Sequence, residues 1–324
     1  MFIKIDLFKV IFISIVSCYV LAKDDIYVKW IGRFGNNLFQ FATVYSVAKV
    51  NKFDIVAHEN KDLDVFLLPY IKRDFQNYPF KNIFSEFAIN GHGMLQPFNK
   101  SIYDLPPESC LAGFFQTDKY FIKYRKDLLD LYQFKDKTVY DKALNILDKF
   151  GGLSICAHVR LGDYASCLNK DFNKVENKLY QKVDYTFPVM DYDYYIRAIE
   201  LVFEKLAVAP SQCTLFIVTD EVTSEFFRVI KTKLESAFLD LRIVVAKEDD
   251  YVSFAMLSLC DICITSASSF SWWGAWLNKE AKMIISPKYW FNYYLPHKQI
   301  TLPVDIEMSL GNQYFIESQG YFNC

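Results

Sequence analysis

The segment Leu153-Ser-Ile-Cys-Ala-His-Val-Arg-Leu-Gly-Asp-Tyr164 contains an apolar run that ends in a polar turn with one glycine. We predict that residues 153–160 form a buried strand and that Arg160 and Asp163 lie at its carboxyl end. Ligands of open α/β sheets bind at that end of the strands. A guanidinium there can hold a diphosphate through two parallel charge-assisted hydrogen bonds, which an ammonium group cannot reproduce. The alternative is a strand end at which Arg160 and Asp163 only pair with each other.

Strands and helices alternate on both sides of this segment. After it, the periodicity predicts helices at 192–206, 223–238, 251–259 and 270–277, and strands at 214–219, 242–246, 262–265 and, as the last of the series, 283–286. Before it, we predict strands at 26–30 and 53–57, a strand after Cys110, and a helix at 138–150 that ends at two glycines. Such alternation is typical of parallel, doubly wound sheets. We place a domain boundary at the glycines, between an N-terminal domain at 23–150 and a C-terminal domain at 151–324.

Composition limits the classes of partner. With 324 residues, of which 52% are hydrophobic, the chain can build two globular domains. The formal net charge of −2 gives no global field that would attract nucleic acid. An anionic ligand therefore requires a locally placed cation or backbone amides, and Arg160 in a specific loop meets that requirement.

The N-terminal segment 1–22 is predicted to direct the chain into the secretory pathway. Lys4 and Lys9 precede an apolar stretch at 10–22, which is short compared with the roughly 20 residues that span a bilayer. This pattern is typical of a cleaved signal peptide, and a signal-anchor with the lysine side in the cytoplasm is the alternative. An oxidising lumen is compatible with disulfides among four cysteines of the body, namely Cys110, Cys167, Cys213 and Cys324.

Two further loops have the composition of a phosphate site. The turn Gly32-Arg-Phe-Gly-Asn36 precedes a helical pattern, and Asn36 is a suitable N-cap. The segment Thr265-Ser-Ala-Ser-Ser-Phe-Ser-Trp-Trp-Gly-Ala-Trp276 places four serines at a predicted helix start. Helix N-termini bind phosphate because their backbone N–H groups point at the ligand. The three tryptophans are expected to bury this helix against the sheet.

These segments resemble the motifs of the α-1,2-fucosyltransferases, glycosyltransferase family 11. Residues 32–42 resemble the opening motif of the family, and residues 268–276 resemble its C-terminal signature. His158-Val-Arg-Leu-Gly-Asp-Tyr164 is similar to its His-x-Arg-Arg-Gly-Asp-Tyr signature. Residues 113–121, 216–221 and 251–265 are also similar to it. The resemblance implies an α/β, GT-B-like fold of two Rossmann-like doubly wound domains that face a cleft.

The resemblance also implies a reaction and a set of site residues. The donor would be GDP-fucose, the acceptor a β-galactoside, and the fucose anomeric carbon would be inverted without a bound metal or another cofactor. Arg160 would bind the diphosphate and His158 the guanosine side of the nucleotide. The remaining residues assigned to the nucleotide site are Asn36, Ser268, Ser269 and Phe270. Leu161 stands where the family has its second arginine, which makes the donor sugar an open question.

The catalytic base and the metal are further expectations. An inverting transfer needs a carboxylate that accepts the proton of the acceptor hydroxyl. Asp163 is the predicted base, with Glu221 and Asp118 as rivals, and Asp163 could instead orient Arg160. The string Asp191-Tyr-Asp193 has the form of a metal-binding pair, but it precedes a helix, so we expect Asp193 to be an N-cap and no metal to bind.

The sequence therefore predicts a galactoside α-1,2-fucosyltransferase of the Golgi membrane with a lumenal catalytic body. Its partners would be GDP-fucose and a glycan acceptor, with no nucleic acid, and it would meet the membrane only through segment 1–22. Cleavage of that segment would instead give a secreted or soluble lumenal protein. The alternatives are another inverting transferase that uses a GDP-sugar, or a secreted carbohydrate-binding relative without activity.

Overall fold

The computed structural model describes residues 24–74, 80–86, 98–162, 189–288, 290, 293–295, 298–300 and 312–316. Segment 1–22, Asp163, Cys167 and Cys324 lie outside these ranges, and the predictions about them stay predictions.

A five-stranded parallel sheet forms in the N-terminal part of the chain, in the order β3-β2-β1-β5-β4. Its strands are β1 Asp25–Val28, β2 Asp54–Ala57, β3 Ile71–Lys72, β4 Asn82–Ser85 and β5 Ser109–Ala112. The four residues of β1 are all buried, because β1 is the central strand of this sheet. The two edge strands, β3 and β4, were not predicted from the sequence.

A six-stranded parallel sheet forms in the C-terminal part, in the order β13-β10-β9-β6-β7-β8. Its strands are β6 Leu153–Val159, β7 Cys213–Thr219, β8 Arg242–Ala246, β9 Ile262–Ile264, β10 Met283–Pro287 and β13 Gln313–Ile316. The expectation that 283–286 is the last strand is wrong, since β13 pairs outside it. The strands β11 Tyr293–Leu295 and β12 Lys298–Ile300 form an antiparallel pair.

Seven α-helices connect or flank these strands in the described ranges. They are α1 Phe34–Asn51, α2 Arg125–Leu131, α3 Thr138–Leu147, α4 Tyr192–Leu206, α5 Glu225–Ala237, α6 Asp250–Leu259 and α7 Ser269–Leu277. Two predicted caps are wrong. The N-cap of α1 is Arg33, so Asn36 lies inside the first turn. The N-cap of α4 is Asp191, whose carboxylate accepts a hydrogen bond from Tyr194 N at 2.9 Å.

An aromatic cluster joins the two parts of the chain. Phe39 of α1 is fully buried, and its ring centroid lies 4.5 Å from that of Trp272 and 5.0 Å from that of Trp273, both in α7. Phe121 stacks on Trp273 with a centroid distance of 5.3 Å. The tryptophans of α7 therefore pack against the N-terminal part of the chain, a contact that the sequence did not indicate. Two parallel-sheet α/β domains with a shared core form the predicted GT-B-like class.

The described residues also bear on the membrane and disulfide predictions. Within them, no helix combines the length and apolarity that a bilayer crossing requires. Cys110 and Cys213 are buried free thiols, so the expectation that they form disulfides is wrong. Each lies within a parallel strand whose neighbours cover it.

Candidate active site

Both sheets have a topological switch point, where successive connections leave a central strand in opposite directions. In the C-terminal sheet the chain runs from β6 to β7 and β8 on one side, and continues with β9 and β10 on the other side. In the N-terminal sheet the corresponding point lies between β1 and β5. Crevices at the carboxyl ends of such strands bind ligands in open α/β sheets. The predicted site residues follow β1, β6 and β9, so they lie at these two points.

The carboxyl ends of β6 and β9 are fixed by two tyrosines of α4. Tyr195 donates from its hydroxyl to His158 O at 2.9 Å, and Tyr194 donates to Thr265 O at 2.7 Å. Both tyrosine side chains are fully buried. Because both tyrosines belong to α4, these bonds tie the ends of β6 and β9 to one helix.

His158 lies between the two loops as a buried, neutral ring. Its Nδ1 is 2.8 Å from Ser266 Oγ, and its ring centroid is 5.4 Å from that of Phe270. Burial, together with the nearby Arg160 cation, lowers the pKa of His158 to about 3. The ring is therefore uncharged at neutral pH, and it can offer a ligand a hydrogen bond or an apolar face but no charge.

The serine loop, residues 265–269, leads into α7 and is held by hydrogen bonds of Ser271. Ser271 donates from Oγ to Ser268 O at 3.2 Å and accepts a hydrogen bond from Ser266 N at 3.2 Å. The side chain of the N-cap residue, Ser268, makes no capping bond. The backbone N–H groups in the first turn of a helix have no intrahelical partners and favour anions. Ser268 and Ser269, two of the predicted site residues, stand at this helix start.

The segment that follows β1, residues 31–36, is called the glycine loop, and it contacts this helix start directly. A Cβ on Gly35 would lie 2.6 Å from Ser269 C and 2.7 Å from Phe270 N, so only glycine allows the approach. Asn36 accepts a hydrogen bond at Oδ1 from Gln116 Nε2 at 2.8 Å. The structure therefore brings together Asn36, His158, Ser268, Ser269 and Phe270 from three separate segments of the chain.

Arg160 lies at the same edge, and its guanidinium forms an ion pair with Asp220. Its side chain is 18% exposed. Asp220 follows β7 and also accepts a hydrogen bond from Leu161 N at 2.9 Å. A Cβ on Gly162 would collide with the Asp220 carboxylate, so the turn needs this glycine. Leu161 is fully buried in the core, in the place of the family's second arginine.

Asp220 is a site residue that the sequence analysis did not select. It lies within the quoted segment 216–221, where Glu221 was considered as a base instead. The signal that could have found it is the strand order, since only the pairing of β6 with β7 puts Asp220 beside Arg160. Sequence spacing alone does not specify that pairing.

The loop after β5 supports the glycine loop and was also missed. Gln40 donates from Nε2 to Gly113 O and to Ile31 O, both at 2.9 Å, and accepts from Ile31 N at 3.1 Å. Glu86 accepts hydrogen bonds at Oε2 from Phe114 N at 2.8 Å and from Phe115 N at 2.7 Å. Burial raises the pKa of Glu86 to about 7. These contacts tie the two loops of the N-terminal switch point together.

The rival bases differ in their surroundings, and Asp163 lies outside the described residues. Asp118 is fully buried and accepts a hydrogen bond from Trp276 Nε1 at 3.2 Å, within the contact between α7 and the N-terminal part. Glu221 accepts hydrogen bonds from Thr223, which lower the pKa of its carboxyl group.

Asp193, in the string that resembles a metal-binding pair, forms an ion pair with Arg197 at 2.9 Å instead of acting as a helix cap. In the described ranges, no group of three or more His, Cys, Asp or Glu side chains is arranged to hold a metal ion.

These motifs lie within a region that matches a known protein family. A family model described as Glycosyl transferase family 11 matches residues 4–301, which is most of the chain. The chain belongs to glycosyltransferase family 11. The family predicted from the motifs is thereby confirmed, and the protein is a glycosyltransferase.

Relatives of this glycosyltransferase include two proteins from Escherichia coli. An alpha-1,2-colitosyltransferase is 26% identical over 282 residues, which cover 80% of this chain and 90% of that protein. The O-antigen biosynthesis glycosyltransferase WbnK is 26% identical over 196 residues, which cover 56% of this chain and 55% of that protein.

Solved structures similar to this glycosyltransferase include a fucosyltransferase and a complex with GDP-fucose. The fucosyltransferase NodZ from Bradyrhizobium has a TM-score of 0.48 at 12% identity and covers 82% of this chain and 94% of its own. POFUT1 in complex with GDP-fucose has a TM-score of 0.43 at 12% identity and covers 80% of this chain and 94% of its own.

Proposed function

We propose that this glycosyltransferase transfers L-fucose from GDP-fucose to the 2-hydroxyl of a β-galactoside on a glycan, with inversion and without a bound metal. The observation that carries the proposal is the contact between the two switch points. Gly35 packs on Ser269, and His158 bonds to Ser266, so segments that end strands of both sheets meet near Arg160. A cation, a helix start and a neutral ring together suit a nucleoside diphosphate.

The leaving group dictates what these residues do. As fucose departs, positive charge develops on its ring and negative charge grows on the β-phosphate of GDP. Preorganised donors that point at that oxygen stabilise the transition state, and loss of one such donor typically costs about 10²–10³ in rate. Arg160 supplies the charge, because the ring of His158 is neutral. The first turn of α7 supplies backbone N–H groups.

Asp220 is assigned the role of orienting Arg160. Its carboxylate holds one edge of the guanidinium and the backbone of the same turn. A guanidinium has five N–H donors in a fixed fork, so one such group can bind a carboxylate and a phosphate at the same time. Since the ion pair is only partly exposed, it restricts the side chain to one geometry before the donor binds.

Asp163 is the proposed base, because it follows Arg160 by three residues in the sequence and its rivals are engaged elsewhere. It would accept the proton of the galactose hydroxyl on the face of fucose opposite to GDP. Asp163→Asn should abolish transfer while GDP still binds. Normal turnover in this variant would exclude Asp163 as the base.

The transfer assay should include a second sugar donor besides GDP-fucose. The relative named as an alpha-1,2-colitosyltransferase makes GDP-linked colitose the second donor to test, and Leu161, in the place of the family's second arginine, is a further reason to vary the donor sugar. A protein without activity that only binds carbohydrate is the remaining alternative.

The decisive experiment incubates the purified protein with GDP-fucose or GDP-colitose and a panel of galactosides, with and without a chelator. We expect fucose on the galactose 2-hydroxyl, in equal yield with the chelator. Transfer of colitose alone would replace the donor. A folded protein that binds glycans but neither binds GDP nor transfers any sugar would exclude the enzyme proposals.

The compartment is proposed from segment 1–22, whose basic start and apolar stretch suit entry into the secretory pathway. We place the catalytic body in the Golgi lumen, and the choice between an anchor and a cleaved segment decides whether it stays tethered. Protease protection and the N-terminal sequence of the mature protein test this. Digestion of the body in sealed vesicles would contradict a lumenal location.

A further inference from the structure

Gln116 connects the glycine loop to a residue of the C-terminal part of the chain. Gln116 as a whole residue is 8% exposed. Gln116 Nε2 donates to Asn36 Oδ1 at 2.8 Å, and Gln116 Oε1 accepts a hydrogen bond from Trp290 Nε1 at 3.1 Å. Trp290 is also buried. These three side chains come from three distant segments and form a continuous line of hydrogen bonds.

The direction of these bonds is fixed by chemistry. An indole N–H can only donate a hydrogen bond, whereas an amide side chain has an oxygen that accepts and a nitrogen that donates. Trp290 therefore has to face the oxygen of Gln116, which turns the Gln116 nitrogen toward Asn36. Asn36 must then present its own oxygen to Gln116. Its amide nitrogen, with two N–H donors, is turned the other way.

The position of the Asn36 nitrogen depends on Gly32. A Cβ on Gly32 would collide with Asn36 Nδ2, and Gly32 has a φ of +84°, which favours glycine. The next contact of this loop is the packing of Gly35 on Ser269 at the start of α7. The Asn36 nitrogen therefore lies beside Gly32, in the loop that packs on the start of α7.

We infer that Trp290 and Gln116 are positioning residues that set the Asn36 amide so that it presents N–H donors to the diphosphate of the sugar donor. This inference rests on the proposed function. Phosphate oxygens only accept hydrogen bonds, so an Asn36 amide turned by half a rotation would direct its oxygen lone pairs at the anion. The line of bonds excludes that orientation without using a charged group.

The glycine loop is also held by a second set of hydrogen bonds, which does not include Gln116. Gln40 clamps the backbone of the loop at Ile31 and joins it to Gly113. A change at Gln116 should therefore alter the orientation of one amide while the loop stays in place. This separation makes the inference testable.

The first test is Gln116→Glu, measured by calorimetric titration with GDP. A carboxylate can accept from Trp290 but cannot donate to Asn36, so the Asn36 amide turns its nitrogen toward residue 116. We expect GDP to bind roughly 10- to 100-fold more weakly, the range for a lost hydrogen bond to a charged group. The matched control is Gln133→Glu, which places the same charge on a glutamine that bonds to Leu129 O. It should bind GDP like the wild type.

The second test repeats the change in the Asn36→Ala background. If Gln116 acts through Asn36, Gln116→Glu should cause no further loss of GDP affinity there. Gln116→Met and Trp290→Phe remove the directional constraint without adding charge, and each should cause a smaller loss that also vanishes in that background. Thermal melting of each variant confirms that it is folded.

The outcomes separate the two proposals. If the wild-type protein does not bind GDP, the proposed function fails. If the wild type binds GDP but folded Gln116→Glu or Gln116→Met binds it equally well, the positioning role is overturned. An equal loss in the presence and absence of Asn36 would also overturn it, because the effect would then not pass through that amide.

Discussion

Arg160 is the residue whose replacement is most informative, because charge and geometry can be separated there. Arg160→Lys keeps the positive charge but loses the fork that can hold Asp220 and a phosphate together. We expect kcat/KM to fall by about 10²–10³, with a small change in melting temperature because the ion pair is partly exposed. Arg228→Lys, at an exposed ion pair with Glu225, is the control and should be fully active. Near-normal turnover of Arg160→Lys would remove the fork from the mechanism.

Two buried groups near the site respond to pH in opposite directions. Burial lowers the pKa of His158 to about 3 and raises the pKa of Glu86 to about 7. Below about pH 6.5, His158 takes up a proton in the unfolded chain but not in the folded one, so its contribution to stability falls as the pH falls. Above about pH 4.5, Glu86 ionises in the unfolded chain but stays protonated when folded, so its contribution falls as the pH rises.

Single substitutions should reveal these opposed contributions. We expect the free energy of unfolding to rise more steeply with pH in Glu86→Gln than in the wild type, and less steeply in His158→Asn. The change in slope is at most about 1.4 kcal/mol per pH unit between about pH 5 and 6. Urea titrations over this range measure it, with Glu200→Gln on the exposed face of α4 as the control. Slopes that match the wild type in both variants would mean that neither pKa is displaced.

Among the helices, the start of α1 packs so closely on the start of α7 that residue 35 has no room for a side chain. Gly35→Ala would place a Cβ 2.6 Å from the Ser269 backbone, so the glycine loop must move away from the start of α7. Overpacking of this kind costs about 1–3 kcal/mol, and a shift of about 1 Å at a site can cost 10²-fold in rate.

The matched variant is Gly274→Ala, whose Cβ would lie 2.6 Å from Leu257 Cβ, between α7 and α6. Both variants should be less stable, but only Gly35→Ala should lose GDP affinity. Equal GDP affinity in the two variants would show that the contact of the glycine loop with α7 is structural only.

Local sequence patterns predicted the bounds of some helices and strands correctly and missed other strands. Helix α4 and strand β8 have the predicted bounds, because helical periodicity and a short apolar run are properties of the local sequence. Strands β3, β4 and β13 were missed, because short edge strands are defined by the strands with which they pair. The same limit applies to the site. The Asn36 side chain was expected to cap a helix, but it bonds to Gln116, which is 80 residues away.

At the scale of the whole molecule, the aromatic cluster decides whether the two sheets unfold together. Phe39 carries the contact from α1 to Trp272 and Trp273, and all three rings are buried. Removal of a buried phenylalanine ring typically costs about 3–5 kcal/mol. Because the lost contacts join the two sheets, Phe39→Ala should also weaken the coupling between them.

The test compares two probes of urea unfolding, tryptophan fluorescence and far-ultraviolet circular dichroism. In the wild type, we expect one transition with the same midpoint for both probes, since a shared core makes unfolding cooperative. In Phe39→Ala the two midpoints should separate. In the control Phe238→Ala, whose ring packs on Phe203 within the C-terminal part, the midpoint should fall while both probes still coincide. Separate midpoints already in the wild type, or coincident ones in Phe39→Ala, would mean that the aromatic cluster does not couple the two sheets.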